Sequence, residues 1–218
     1  MATTRRVRGA FDDDVSGPQA PVRATARALA KVPTAEALLL VEGISDQIAV
    51  ETAAVGLGRD LDAERVVVLP IGGAHAIGRV LTGLGSTGVR LAGLCDLGEQ
   101  EVFRRGLVAA GVGAPRTRAD LELLGFHVCV ADLEDELIRA VGVAGVEELF
   151  DSQGDLGPFR SMQNQPAWRG REPGAQMRRF LGSGSRRKLR YARLLVEAAI
   201  GRDALPRPLA AVLTAVIR

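Results

Sequence analysis

Four short apolar runs recur along the first two thirds of the chain: Ala37 to Val41, Arg65 to Pro70, Arg90 to Asp96 and Phe126 to Asp132. Each is continuous rather than alternating, which is the pattern of a strand covered on both faces. Between them the period changes. Ile48, Thr52 and Val55, then Ile77, Val80, Leu81 and Leu84, then Val102, Phe103, Leu107 and Val108 fall at helical spacing. Strands alternating with helices predict βαβ crossovers and an α/β fold built on a mainly parallel four-stranded sheet. A short helix is predicted before the first strand, from Val22 to Val32, ended by Pro33. After Asp132 the strand signals stop. Helices are predicted at 133–150, 173–181, 187–200 and 207–217, interrupted by the Gly-, Pro- and Gln-rich stretch 151–174. The division expected is a polar, disordered leader at 1–20, an α/β core with its N-terminal helix at 21–145, and a helical portion at 146–218 that packs on the core.

Composition narrows the class without naming a function. The chain has 218 residues, 47% hydrophobic, and a formal net charge of +2, enough for one sizeable core. No apolar run approaches the ~20 residues that a membrane span requires. The leader has no hydrophobic segment and carries Asp12, Asp13 and Asp14, which fits neither a secretory signal nor a transit peptide. Cys95 and Cys129 each sit inside an apolar run and read as reduced core residues rather than a disulfide or zinc pair. A cytoplasmic location with no membrane partner is expected. The near-neutral total argues against nonspecific coating of nucleic acid, but one segment, Met177 to Arg193, is dense in cations. Within it Arg186, Arg187, Lys188 and Arg190 are the candidates for gripping a polyanion.

The acids carry the chemistry. In an open parallel sheet, ligands gather beyond the carboxyl ends of the strands. Glu42 follows the first apolar run directly, while Asp96 and Asp132 close the third and fourth, so all three are expected on one edge. Asp46 falls in the first turn of the following helix, after Gly43 and the possible cap Ser45. Converging carboxylates repel one another unless a cation sits among them. Hard oxygen ligands with no His or Cys alongside select Mg²⁺ or Mn²⁺. The usual work of such a site is phosphoryl transfer. His75, after Gly72 and Gly73, reads as a local hydrogen-bonding residue, and His127 as a half-buried strand residue. Neither Gly83 to Gly88 nor Gly182 to Lys188 has the spacing of a phosphate-binding loop.

Three stretches resemble the consecutive signatures of the Toprim domain: "LLLVEGISDQIAVETAA", "VVVLPIGGAHAI" and "LAGLCDLGE". They read as a strand ending in Glu-Gly, a strand before a Gly-Gly turn, and a strand ending in an Asp-x-Asp motif. The Ser45-Asp46 pair and "VADLEDEL", Val130 to Leu137, are most similar to the overcoming-lysogenization-defect (OLD) nucleases, over about residues 36 to 200. The resemblance implies a Toprim-like, Rossmann-like sheet and a catalytic Glu42. It implies metal ligation by Glu42, Asp46, Asp96 and Glu134, and a phosphate-stabilising Lys188. It also implies two ions, Mg²⁺ or Mn²⁺. One position departs from the family: Gly98 stands where the second aspartate is expected, so the site is rebuilt around Glu99 or Glu101, or one ion binds weakly. OLD proteins usually carry an ATPase ahead of the Toprim domain. No ATPase motif occurs in this sequence, which implies a standalone protein or one that borrows a separate ATPase partner.

The expected activity is a Mg²⁺- or Mn²⁺-dependent endonuclease hydrolysing DNA phosphodiester bonds through a two-metal site. Two alternatives stand beside it: a noncatalytic nucleic-acid-binding or partner-binding Toprim module, and a Toprim nuclease that processes RNA. Topoisomerase action is disfavoured, because the single tyrosine, Tyr191, lies three residues from Lys188 on the same predicted helix. The aromatic fraction of 4% leaves few stacking platforms and favours duplex backbone recognition.

Overall fold

A computed structural model describes residues 19–85 and 88–217. The leader expected at 1–20 lies outside the described residues except for its last two. Four strands form one sheet: β1 (Ala37–Val41), β2 (Val66–Pro70), β3 (Arg90–Asp96) and β4 (Phe126–Cys129), in the order β2-β1-β3-β4. Every pairing is parallel, with Leu39 opposite Val68 and Ala92, and Asp96 opposite Cys129. β1 lies at the centre and all five of its residues are fully buried, which explains its unbroken apolar run. Burying each of its leucines contributes about 1.5–3 kcal/mol.

Alternate residues of these strands feed two cores. On one face, Leu38, Leu40, Val67, Leu69, Phe126 and Val128 meet α1 (Ala20–Lys31), α3 (Ile77–Leu84), α4 (Gln100–Ala109) and α5 (Arg118–Leu123). On the other, Leu39, Val41, Val68 and Leu94 meet α2 (Ile44–Gly56), α6 (Leu133–Val141) and the remaining helices. Those are α7 (Val143–Ser152), α8 (Leu156–Gln163), α9 (Pro173–Leu181), α10 (Ser185–Ile200) and α11 (Arg207–Ala215). Phe150, Phe159, Phe180 and Tyr191 pack as a ring cluster at 4.9–5.3 Å, which ties α7 to α10 together. The C-terminal helices therefore share a core with the sheet instead of forming a lobe of their own. α10 lies along α2 and α6, which brings its basic first turns to the strand edge.

The structure corrects four details of the expected elements. β4 ends at Cys129 rather than Asp132, because Val130 is exposed and Asp132 caps α6, accepting a hydrogen bond from the Asp135 N–H at 2.7 Å. The helix expected over 133–150 is two helices, divided at Gly142, whose φ of 77° no helix interior adopts. α5 and α8 were not expected. α5 is opened by Thr117 and Asp120, which bond each other's backbone N–H. α8 carries Pro158 in its first turn, where no intrahelical donor is lost, and buries Phe159. Cys95 and Cys129 are free and buried, and no helix among the described residues is long and apolar enough to cross a membrane.

Candidate metal centre

The chain leaves β1 at Glu42 and turns into α2 at once. Asp46 accepts a hydrogen bond from the Gly43 N–H at 2.9 Å, so its carboxylate fixes the helix start as well as facing the strand edge. The N–H groups of Gly72 and Gly73, at φ of 79° and 102°, donate to the Glu42 carbonyl at 3.1 and 2.9 Å. The Gly-Gly turn after β2 thus clamps the backbone that presents Glu42, in a conformation that a side chain at either position would strain.

Asp96 ends β3, and a single 3-10 turn, Leu97–Glu99, swings Glu99 back over it. Glu42, Asp96 and Glu99 each offer a carboxylate oxygen within 4.8 Å of the other two. Glu101 is not part of this group: it turns outward and pairs with Arg104 at 2.5 Å. Of the two ways the sequence left open to rebuild the site around Gly98, the structure brings in Glu99.

The electrostatics of the group are unfavourable without a cation. Burial, the adjoining Glu99 carboxyl and the charge of Asp96 push the Glu42 carboxyl up to about 9. Burial and the charges of Asp46, Asp132 and Glu134 push Asp96 up to about 7. When ionised, Glu42 Oε1 and Glu99 Oε2 are buried with no donor facing them. Protonation of Glu42 relieves the repulsion, and a cation between the carboxylates gives both oxygens a partner.

Beside this trio stands a second group from other elements. Glu134, in the first turn of α6, pairs with Lys188 of α10 at 2.9 Å. Asp46 lies close enough to both to feel their charges: burial and Glu134 push it up to about 6, opposed by Lys188. Burial pulls the Lys188 ammonium down, but Glu134, Asp46 and Asp132 outweigh it and the net shift is upward. Asp132 accepts an ion pair from Arg178 Nε at 3.0 Å.

The basic candidates divide. Arg186 is exposed and makes no ion pair among the described residues. Arg187 and Arg190 both turn onto the buried Asp155, which also accepts the Tyr191 hydroxyl at 2.9 Å. Arg187 also stacks on Phe180, 3.9 Å from the ring centre. These two arginines therefore hold the helical portion together. His75 is exposed and His127 half-buried. Sequence reasoning passed over Asp155, Arg178 and Trp168, whose positions depend on how the C-terminal helices fold back.

Comparison with known proteins bears on the fold. Residues 34–97 match the family model described as overcoming lysogenization defect protein-like, TOPRIM domain. No curated protein matches the chain significantly in sequence. The structure resembles the C-terminal region of the Xanthomonas campestris pv. campestris OLD protein, with a TM-score of 0.61 at 22% identity over 85% of this chain and 94% of that one. It also resembles the C-terminal region of the Burkholderia pseudomallei OLD protein, with a TM-score of 0.58 at 17% identity over 84% and 97%. At these identities the structural likeness speaks for the fold. The fold is Toprim-like and resembles the C-terminal regions of OLD proteins, and residues 34–97 carry the match to the family model.

Proposed function

We propose that the protein is a divalent-metal-dependent nuclease that hydrolyses DNA phosphodiester bonds. The observation that carries this reading is the Glu42, Asp96 and Glu99 trio at the strand edge, with two buried carboxylate oxygens that no protein donor meets. An all-carboxylate donor set fits Mg²⁺ or Mn²⁺. The trio would hold one ion, and Asp46 with Glu134 would hold a second. Bound there, the ions supply a water of lowered pKa and positive charge for the scissile phosphate.

The chain's own residues do the rest. Glu42, whose carboxyl burial pushes up to about 9, would give up its proton to act as a ligand beside Glu99. Asp96, at the rigid end of β3, fixes the separation of the two groups. Lys188 is held in reach by Glu134 and stabilises charge on the departing oxygen. Arg186, on the exposed side of α10, contacts the backbone of the nucleic acid. Supercoiled plasmid incubated with Mn²⁺ or Mg²⁺ tests the reading. Nicking that stops when a chelator is added supports it, and intact plasmid under every metal condition sinks it.

A further inference from the structure

Next to the metal centre lies a cavity of about 420 Å³, a size typical of small-molecule sites. Asp132, Glu134, Arg178, Arg179, Lys188 and Trp168 line it. Its two acids are already paired, Asp132 with Arg178 and Glu134 with Lys188, and Arg179 makes no ion pair among the described residues. Three cations against two carboxylates leave the lining net positive by one.

Trp168 is the only tryptophan in the chain and sits half-buried on this wall. It is held there deliberately. Its carbonyl accepts a hydrogen bond from Nε2 of the buried Gln176 at 2.7 Å, and Gln176 Oε1 accepts one from Gln163 at 2.7 Å. Its backbone N–H donates to the Gln165 carbonyl at 2.9 Å. The other large rings of the C-terminal helices pack on one another, whereas no ring among the described residues stacks on Trp168. An indole that lines a cationic cavity, on a backbone anchored at both its N–H and its carbonyl, and that lacks an aromatic partner among the described residues is a stacking platform.

We propose that this cavity receives one unstacked base of the DNA strand being cut, stacked on Trp168 with its phosphate between Arg179 and Arg178. The inference rests on the nuclease reading of the adjoining centre and adds the substrate class: DNA with single-stranded character at the cleavage position, such as a frayed end, gap or flap. A paired base cannot enter without leaving its duplex. This revises the duplex preference suggested by the low aromatic content, because the one tryptophan stands at the site itself.

Intrinsic fluorescence tests it, because all tryptophan emission comes from Trp168. The full chain is titrated, in the presence of chelator, with a short oligothymidylate and separately with a blunt duplex. Quenching by the single strand but not by the duplex is expected. Trp168→Ala should weaken single-strand binding about 5- to 150-fold, read by anisotropy of a labelled oligonucleotide, while Trp168→Phe keeps most of it. Single-strand binding without quenching, no single-strand binding at all, or equal affinity in Trp168→Ala overturns the proposal. The nuclease reading is judged apart, by metal-dependent plasmid nicking. Nicking without quenching sinks the base pocket alone, and quenching without nicking sinks the nuclease alone.

Discussion

Glu42 and Glu99 bring carboxylate oxygens within 4.8 Å of each other at the carboxyl edge of the sheet, one following β1 and the other reached by a single turn after β3. Burial and the neighbouring acids hold Glu42 in its protonated form near neutral pH. This gives the metal-free protein a pH dependence of definite sign. Glu42, Asp96 and Asp46 all have folded-state values above the ordinary carboxylate range, at about 9, 7 and 6. Their stabilising contribution is full below about pH 4 and is lost as pH rises through those folded values, because the unfolded chain then binds fewer protons than the native one.

Thermal unfolding in chelator should therefore fall in midpoint between pH 5.5 and 8.5. Mn²⁺ should raise the midpoint by more at pH 8.5 than at 5.5, since the ion replaces protons only where protons are costly to hold. Glu42→Gln should flatten the slope in chelator. A midpoint increment from Mn²⁺ that is the same at both pH values contradicts the assignment.

Lys188 and Glu134 make a half-exposed pair, so their link contributes at most about 1 kcal/mol to stability. Lys188→Met should leave the unfolding midpoint and Mn²⁺ affinity nearly unchanged while slowing cleavage by about 100-fold or more. Loss of fold alongside activity would reassign Lys188 as structural.

Asp155 binds Arg187, Arg190 and the Tyr191 hydroxyl at the junction of α7, α8 and α10. Asp155→Ala should destabilise the protein by about 2–3 kcal/mol in denaturant titration, less than for a fully buried pair because Arg190 is partly exposed. By the same geometry Arg190→Ala should lower the unfolding midpoint, and Arg186→Ala should weaken DNA binding with no thermal effect. Equal behaviour of the two arginines would show that the division drawn between them is wrong.

The sheet was legible because β1 to β4 are buried on both faces and advertise it as unbroken apolar runs. Their boundaries were read to within one residue except at β4, where the apolar run continues into Val130 although the chain has already left the sheet. Glu42, Asp96 and the departure at Gly98 were visible as strand-end acids in motif order. That Glu99 rather than Glu101 joins the group could not be read, because one 3-10 turn decides which carboxylate points inward. α5 carried a readable signal in the Thr117 to Asp120 capping box. The pinning of Arg187 and Arg190 on Asp155, and the placing of Trp168 beside Lys188, depend on contacts across more than ten residues of sequence, and no local pattern encodes them.

In the proposed nuclease, Glu99 completes a carboxylate trio at which a metal ion would drive DNA hydrolysis. The most direct measurement compares Mn²⁺-dependent nicking of supercoiled plasmid by the wild type with that by Glu42→Gln, Asp96→Asn and Glu99→Gln, each confirmed as folded by its unfolding midpoint. The account predicts nicking by the wild type and a loss of about 100-fold or more in all three variants. Wild-type rates in Glu99→Gln would remove Glu99 from the centre, and an inactive wild type would contradict the nuclease itself.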